Sequence, residues 1–334
     1  MKRREFITLL GSAATWPLAA RGEQAAKTHR IAIVHPSVPV SEMNESGDHP
    51  YYPALFKELR GLGYVEGKNL IVARYSGEGR EDRYPELCRD VVGTKPDVIV
   101  TSASRLVLSF KAATHTIPVV ASMADPVPFG IVTSLARPGG NITGVSVEAG
   151  LEIWGKRLQV LREAIPTASK VGFLGSHQIW SQPSLNELRK AAQQLGISLL
   201  GPPMETPFEV EEYRRVLAKM AQERVDGVII GDQPEHSSYK QFIVDLVRAA
   251  KLPAVFPYSE DSLIGALIAY GSSSPALFRR LATYIDQILK GAHPGDLPVY
   301  LTSKFDLTIN LRTAKALGLN IPPSLLVRAD EVIE

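Results

Sequence analysis

Few residue patterns in this sequence could support catalysis or cofactor binding. The run GEGRED (77–82) follows a predicted strand, as a dinucleotide-binding loop does, but Asp82 stands where that loop needs Gly or Ala. Because a carboxylate there would repel a pyrophosphate, we interpret the run as an ordinary strand-to-helix loop. Gly155 and Lys156 lie in a predicted helix without the remainder of a P-loop, and no Gly-x-Ser-x-Gly elbow occurs. The sequence therefore predicts no cofactor.

Metal ligation is equally unsupported. The seven histidines show none of the spacings at which metal ligands occur, and a single cysteine cannot form a thiolate zinc site or an intramolecular disulfide. That cysteine, Cys88, lies beside Leu87 and Val91 on a predicted helix, which is typical of a small core residue. No acid–base–nucleophile set stands out either, so the sequence predicts a protein that is not an enzyme.

The composition indicates a globular chain of two domains. Its 334 residues, with 45% hydrophobic content, can bury cores for two domains of ordinary size. The net charge is only +2, and basic and acidic residues are interspersed. This pattern argues against nucleic acid as a partner, because a nucleic-acid-binding surface would cluster Lys and Arg.

Residues 1–22 resemble an export signal. Basic residues open the chain, an apolar stretch runs from Phe6 to Ala20, and small residues at 20 and 22 suit a signal peptidase. The run RREFI (3–7) resembles a twin-arginine signal, although Lys2 and Thr8 depart from the usual pattern. We favour the twin-arginine route over the general secretory route; a buried N-terminal helix is the remaining alternative.

The mature chain is expected in the periplasm of a bacterium, as a soluble protein. Beyond Ala20 no apolar run approaches the length of a membrane span. No cysteine near the cleavage site could carry a lipid anchor.

Strand and helix patterns alternate along the rest of the chain. Strand–helix units are predicted between residues 31 and 123, and the same alternation resumes from residue 151. No hairpin dipeptide separates consecutive units, so each set predicts a parallel sheet covered by helices on both faces. The predicted fold class is thus α/β, with two doubly wound, Rossmann-like lobes.

A glycine-containing stretch lies between the two sets of units. Gly139 and Gly140 could form a nest for an anion or an ordinary surface turn, but no strand directly precedes them and no helix directly follows. Asn141 opens an extended segment that is predicted to cross between the lobes. We interpret Gly139, Gly140 and Asn141 as a hinge, since hinges are short segments at element ends that often contain small residues.

Five runs of sequence carry a resemblance to a known family. They are LRGLGYVEGKNL (59–70), DPVPFGIVTSLARPGGNITGV (125–145), KRLQVLREAIP (156–166), ALIAYGSS (266–273) and the C-terminal run 284–334. Over nearly the whole mature chain the sequence resembles the ABC-transporter substrate-binding proteins of the tryptophan/tyrosine-binding-protein-like family. The resemblance implies a type I periplasmic-binding-protein fold, with two lobes, three crossovers and a ligand closed between them.

The resemblance also implies how the chain divides between the lobes. The first lobe is expected to contain residues 29–142 and 272–299, and the second residues 143–271 and 300–334. By the same analogy the second crossover lies near Tyr270–Ser273, where Gly271 is a further hinge candidate, and the third near Leu297–Phe305.

Ligands of open α/β sheets bind beyond the carboxyl ends of the strands. Two facing lobes place two such edges across one cleft, so polar residues that follow predicted strands are candidate contacts. On the first lobe they are His35, Ser37, Ser102, Ser104 and Asp125; on the second they are Ser176, His177, Asp232, Gln233, Tyr258 and Ser259, with Tyr270 at a crossing. The residues that we predict to bind the ligand are Ser37, Ser102, Ser104, Asp125, His177, Asp232, Tyr258 and Tyr270.

Charged ends of a ligand have candidate partners among these residues. Ser102 and Ser104 precede a predicted helix whose N-terminal N–H groups suit a carboxylate, although N-capping alone would also explain both serines. Asp232 is the better candidate for an ammonium group, with capping of the next helix as the alternative. Asp125 could likewise pair with an ammonium group or cap the segment that follows it.

Aromatic and polar side chains complete the predicted site. Tyr258 and Tyr270 could stack on an aromatic ligand or hydrogen-bond to a polar one. His177 could be a polar contact or merely exposed, and Trp180 could cover a flat ligand or lie in the core.

The predicted function is the capture of a small metabolite. An amino acid is expected, with an aromatic amino acid as the first candidate. The protein is expected to be a monomer that delivers this ligand to an ABC permease in the inner membrane. A sensory protein that presents ligand to a membrane receptor would use the same fold. An exported α/β hydrolase is the remaining alternative, and the absence of a recognisable catalytic set weighs against it.

The twin-arginine interpretation can be tested by replacing both Arg3 and Arg4 with Lys. We expect the variant to accumulate as an uncleaved precursor, because that export route reads the paired arginines. Cell fractionation with mass spectrometry of the N-terminus provides the measurement. Normal export of the variant would instead indicate the general secretory route.

Overall fold

The computed structural model describes residues 27–334 except residues 48, 148–151, 182 and 207, and the side chains of residues 183 and 184 are also left out. The predicted export signal, residues 1–22, lies outside the described residues. Within them, the chain forms two sheets of six and seven strands. Helices cover both sheets.

The first sheet is parallel throughout. Its strands are β1 His29–His35, β2 Leu70–Ser76, β3 Val98–Ser102, β4 Val119–Met123, β5 Ile142–Ser146 and β11 Tyr300–Leu301. They lie in the order β11-β5-β4-β3-β1-β2. This arrangement places the carboxyl ends of all six strands along one edge.

The second sheet repeats the order of the first five strands and adds two strands that run antiparallel to them. Its strands are β6 Lys170–Leu174, β7 Ser198–Leu200, β8 Gly227–Ile230, β9 Ala254–Phe256, β10 Ile268–Gly271, β12 Asp306–Asn310 and β13 Glu331–Ile333. Their order is β13-β12-β10-β9-β8-β6-β7, and β12 runs antiparallel to β10. The first five strands of each lobe therefore share one topology.

The helices pack on the sheets through apolar stripes. They are α1 Tyr51–Gly61, α2 Tyr84–Gly93, α3 Ser104–Ala113, α4 Glu152–Ala164, α5 His177–Trp180, α6 Pro183–Leu195, α7 Val210–Gln222, α8 Pro234–Ser237, α9 Lys240–Ala249, α10 Ser274–Leu289, α11 Leu311–Ala316 and α12 Pro323–Val327. In α4, Trp154, Leu158 and Leu161 recur at helical spacing and are buried in the core of the second lobe.

Helix α10 returns the chain to the first lobe. Its apolar residues Leu277, Leu281 and Ile285 are buried in one cluster with Ile31 and Ile33 of β1. No helix in the described part of the chain is both long and apolar enough to cross a membrane.

The division between the lobes differs in two places from the one expected from the sequence. β5 pairs with β4 from Ile142 through Ser146, so residues 143–146 lie in the first sheet. β11 pairs with β5, so Tyr300 and Leu301 lie there as well. The physical reason is hydrogen bonding, because an extended segment beside the open edge of a sheet satisfies its backbone groups by joining the ladder.

Gly139, Gly140 and Asn141 lie at the amino end of β5 and not at a crossover. The Gly139 N–H donates to the Gly295 carbonyl (3.1 Å), and the Asn141 side-chain amide donates to the Thr114 carbonyl (3.1 Å). These bonds hold the stretch within the first lobe. The chain crosses to the second lobe after the carboxyl end of β5. Residues 139–141 precede the amino end of this strand, so the predicted hinge lies at the wrong end of β5.

The chain passes from one sheet to the other after β5, at residues 272–273 and at residues 302–305. Gly271 is the last residue of β10, directly before the second of these connections. A Cβ atom there would lie 1.6 Å from the Pro257 carbonyl oxygen, so only glycine fits. Its role as a hinge stays a prediction.

Gly144 offers a test of the close contact between β4 and β5. Its φ is +142°, and a Cβ atom would lie 2.0 Å from the Ala121 carbonyl oxygen. We expect Gly144→Ala to lower the free energy of unfolding by about 2–4 kcal/mol, measured by urea denaturation. In the matched control Gly93→Ala the new Cβ meets nothing within 4 Å, so that variant should change stability by less than about 1 kcal/mol. Equal midpoints for the two variants would contradict this account.

Candidate ligand-binding site

A cavity of about 160 Å³ lies between the lobes. An engineered protein cavity of about 150 Å³ binds benzene, so this one has room for a small molecule. Residues at the carboxyl ends of β1, β3 and β4 form one wall, and residues that follow β6, β8 and β9 form the other. Both sheets therefore present to the cavity the edge at which α/β proteins bind ligands.

The first lobe presents the N-terminus of α3 to the cavity. Ala103 adopts a φ of 70°, and its N–H donates to the Ser122 carbonyl (2.9 Å), which turns the chain sharply from β3 into the helix. The helix begins without a side-chain cap, because its N-cap residue is Ala103, and the Ser104 hydroxyl accepts from the Ala124 N–H (3.2 Å). N-capping therefore does not explain Ser102 and Ser104, both of which line the cavity.

His35, at the end of β1, is a hydrogen-bond donor on the same wall. Its Nδ1 accepts from the backbone N–H groups of Ser37 (3.1 Å) and Val38 (2.9 Å). Burial, together with the nearby His49, lowers the pKa of His35 well below its ordinary value, so the ring is neutral and its single proton is on Nε2. His35 is 2% exposed and lines the cavity.

The second lobe presents Asp232 beside a buried arginine. Arg157, on α4, is 3% exposed and lies with Nη1 3.7 Å from an Asp232 carboxylate oxygen. Its guanidinium also donates to the carbonyls of Tyr270 (3.1 Å) and Pro257 (3.3 Å). Asp232 does not cap α8, whose N-cap residue is Gln233. The alternative of a capping role is therefore excluded, and Asp232 lines the cavity.

Tyr258 lies beside Asp232 on the second-lobe wall. Its hydroxyl donates to the Asp232 carbonyl (3.4 Å), and its ring packs against the ammonium group of Lys240 (4.6 Å from Nζ to the ring centroid). Lys240 also forms an ion pair with Asp261 (2.7 Å). Burial opposes the charge of Lys240, but Asp261 and its neighbours outweigh that effect and raise the pKa of Lys240, which stays a cation.

The two lobes touch directly at the cavity margin. The Ser37 hydroxyl donates to the Pro234 carbonyl (3.0 Å), and the hydroxyls of Tyr51 and Ser237 lie 3.4 Å apart. The Lys240 ammonium lies 5.5 Å from the centroid of the Tyr51 ring. The structure is thus that of a closed cleft.

Glu235 is a cavity residue that the sequence analysis missed. It lies on the single-turn helix α8, which no sequence pattern predicted, and it is 5% exposed. Burial raises its pKa to about 7, with a smaller contribution from Glu81 across the cleft. Glu81 itself accepts a hydrogen bond from Arg105 (2.8 Å).

The structure separates the predicted ligand contacts into two groups. Ser102, Ser104, Asp232 and Tyr258 line the cavity. The other predicted contacts lie outside it: Ser37 bonds to the facing lobe, the Asp125 carboxylate accepts from the Val127 N–H, His177 is exposed on α5, and Tyr270 packs against Phe305. Trp180 packs against Phe173 in the second-lobe core. Half of the contacts that were predicted from their position after a strand therefore line the cavity.

Comparison with known proteins agrees with this geometry. Residues 46–333 match the model of the family described as ABC transporter substrate binding protein. A curated relative, the tyrosine-binding protein of Clostridioides difficile strain R20291, is 23% identical over 268 residues, which cover 79% of this chain and 75% of the relative.

Solved structures give the same result. A conserved domain protein from Vibrio cholerae superposes with a TM-score of 0.79 at 25% identity. The ABC domain from Streptococcus pneumoniae in complex with L-Trp superposes with a TM-score of 0.78 at 23% identity. Each match covers 92% of this chain and 100% of the other.

The fold and the cleft define a two-lobe solute-binding protein. The family model spans most of the sequence, so the chain belongs to the family of ABC transporter substrate-binding proteins. The predicted fold class, two doubly wound α/β lobes joined by three crossovers in the type I periplasmic-binding-protein arrangement, is confirmed.

The raised pKa of Glu235 predicts a specific pH dependence. The unliganded folded protein binds more protons at Glu235 than the unfolded chain does between pH 4.5 and about 7. Its stabilising contribution is therefore complete below pH 4.5 and is lost as the pH rises toward 7. The difference in unfolding free energy between the wild type and Glu235→Gln should fall over this window by at most about 3 kcal/mol.

Urea denaturation across a pH series measures this difference. Burial lowers the pKa of His236 to about 4 and that of His49 to about 3, which gives both histidines the opposite pH dependence. Both proteins contain these histidines, so their contribution cancels in the comparison. A difference that stays constant from pH 4.5 to pH 7 would contradict the assignment.

Proposed function

We propose that this protein captures an amino acid between its two lobes and delivers it to an ABC permease. The observation that carries the proposal is a cavity with an anion-binding helix N-terminus on one wall and a carboxylate on the other. An α-amino acid has the two complementary charges on groups that are attached to the same carbon atom. No bond of the ligand is made or broken, and the protein is not an enzyme.

The ligand carboxylate is directed to the first lobe. The uncapped N–H groups of α3, the Ser102 hydroxyl and the His35 Nε2–H group are all donors on that wall. The ligand ammonium group is directed to Asp232 on the second lobe, where Arg157 holds the carboxylate in place.

An aromatic side chain would suit the remaining surface of the cavity. Phe129, Leu277, Phe278 and the ring of Tyr258 line it and can pack against a flat ligand. The relative from Clostridioides difficile is named for tyrosine, and the structure from Streptococcus pneumoniae contains L-Trp. These names support aromatic amino acids as the first ligands to test.

Binding would act by shifting a population from open to closed lobes. A ligand that contacts both walls favours the closed form by the difference between its affinities for the two forms. The connections after β5, at residues 272–273 and at residues 302–305 would take up the motion, with Gly271 at the end of β10 as a hinge. We place this cycle in the periplasm, in a soluble monomer without a lipid anchor that meets its permease at the inner membrane.

Isothermal titration calorimetry with a panel of L-amino acids tests the proposal. We expect Asp232→Asn to weaken binding of the best ligand by about 10- to 100-fold, because the ammonium group loses a charged partner. The matched control is Asp90→Asn, an exposed aspartate on α2, and it should bind as the wild type does. Failure of every amino acid to bind the folded wild type would refute the proposed function, and an unchanged affinity in Asp232→Asn would refute the ammonium site.

A further inference from the structure

Glu235 is the one charged cavity residue, within the described part of the chain, whose charge no ion pair compensates. The charged side chains that line the cavity are Glu81, Arg105, Asp232 and Glu235. Glu81 is paired with Arg105 (2.8 Å), and Asp232 with Arg157 behind the wall (3.7 Å). Three carboxylates thus face the cavity with two guanidinium groups to balance them.

The surroundings of Glu235 offer its carboxylate no strong donor. Tyr84, Glu81 and Arg105 approach it from the first lobe, and Tyr213 lies nearby in the second. Among the described residues no side chain donates a hydrogen bond to the Glu235 carboxylate; its own backbone N–H does, and Arg105 acts on it only through its charge. The residue is also only 5% exposed, and it lines the cavity that a ligand would fill.

A neutral amino acid would leave this charge uncompensated. Its carboxylate and ammonium groups are matched by the N-terminus of α3 and by Asp232, and the two ligand charges cancel. Enclosing an unpaired carboxylate is costly, because neither water nor a counter-charge replaces its lost hydration. A ligand with one further positive charge would supply the missing partner.

We propose that the preferred ligand is an amino acid with a cationic side chain, and that Glu235 is the residue that binds this cation. The inference rests on the proposed function and specifies its ligand class. Tyr84, Phe129 and Phe278 line the same cavity, and planar guanidinium groups stack on such rings. L-Arginine therefore has the side-chain chemistry that Glu235 and these rings together would select.

The experiment compares L-arginine with L-citrulline, which has the same shape without the charge. Titration calorimetry is done with the wild type, Glu235→Gln and the matched control Glu211→Gln, an exposed glutamate on α7. We expect the wild type and the control to bind L-arginine at least about tenfold more tightly than L-citrulline. In Glu235→Gln this preference should shrink to less than about twofold.

Three outcomes would overturn the inference. The first is equal affinity of the wild type for L-arginine and L-citrulline. The second is an arginine preference that persists in Glu235→Gln while that variant melts cooperatively at or above the wild-type temperature. The third is tight binding of L-tryptophan or L-tyrosine, in place of L-arginine, with uptake of a proton measured in buffers of different ionisation enthalpy, because a proton would then neutralise Glu235.

These outcomes also separate the inference from the function on which it rests. Binding of a neutral amino acid with proton uptake refutes the ligand class and leaves the solute-binding function intact. Failure of L-arginine, L-citrulline and every other amino acid to bind refutes the function itself.

Discussion

The main physical constraint on the cleft is that each charged group enclosed between the lobes needs a partner of opposite charge. Two sheets meet edge to edge at their carboxyl ends, where parallel strands leave polar loop residues and free helix N-termini. Closing the lobes removes water from these groups, and each charge then needs a partner. Arg157 on α4 is an example of such a partner. Its buried guanidinium forms an ion pair with Asp232 and donates hydrogen bonds to two nearby carbonyls.

The repeated topology explains why the polar edges face each other. Both lobes use the same order for their first five strands, so both present equivalent loops at the same end of the sheet. All three connections also leave from the side of the cleft, as parallel strands require. Under the proposed function, the lobes would separate by bending at these connections, while cores such as the one around Trp154 would stay packed.

Several contacts between the lobes at the cavity margin are polar. Ser37 with Pro234 and Tyr51 with Ser237 are single hydrogen bonds, and such bonds contribute about 1 kcal/mol each. The Lys240 ammonium against the Tyr51 ring adds a contact of similar size. Under the proposed function, a ligand that contacts both walls would add to these contacts and shift the population toward the closed form.

The amino-acid sequence by itself determined the fold class, the alternation of strands and helices and most of their bounds, because apolar periodicity and the residues at element ends are local properties. It also placed Ser102 and Asp232 at strand ends that prove to line the cavity. Pairing partners were decided only by the tertiary structure: β5 joins the first sheet, and the stretch 139–141 is held away from the crossover. Glu235 acquires its significance in the same way, since a residue on a single helical turn carries no periodic signal. Glu235 is buried by residues that are far apart in the chain and that meet only in the tertiary structure. Which of them carries a charge that could pair with Glu235 is decided there as well.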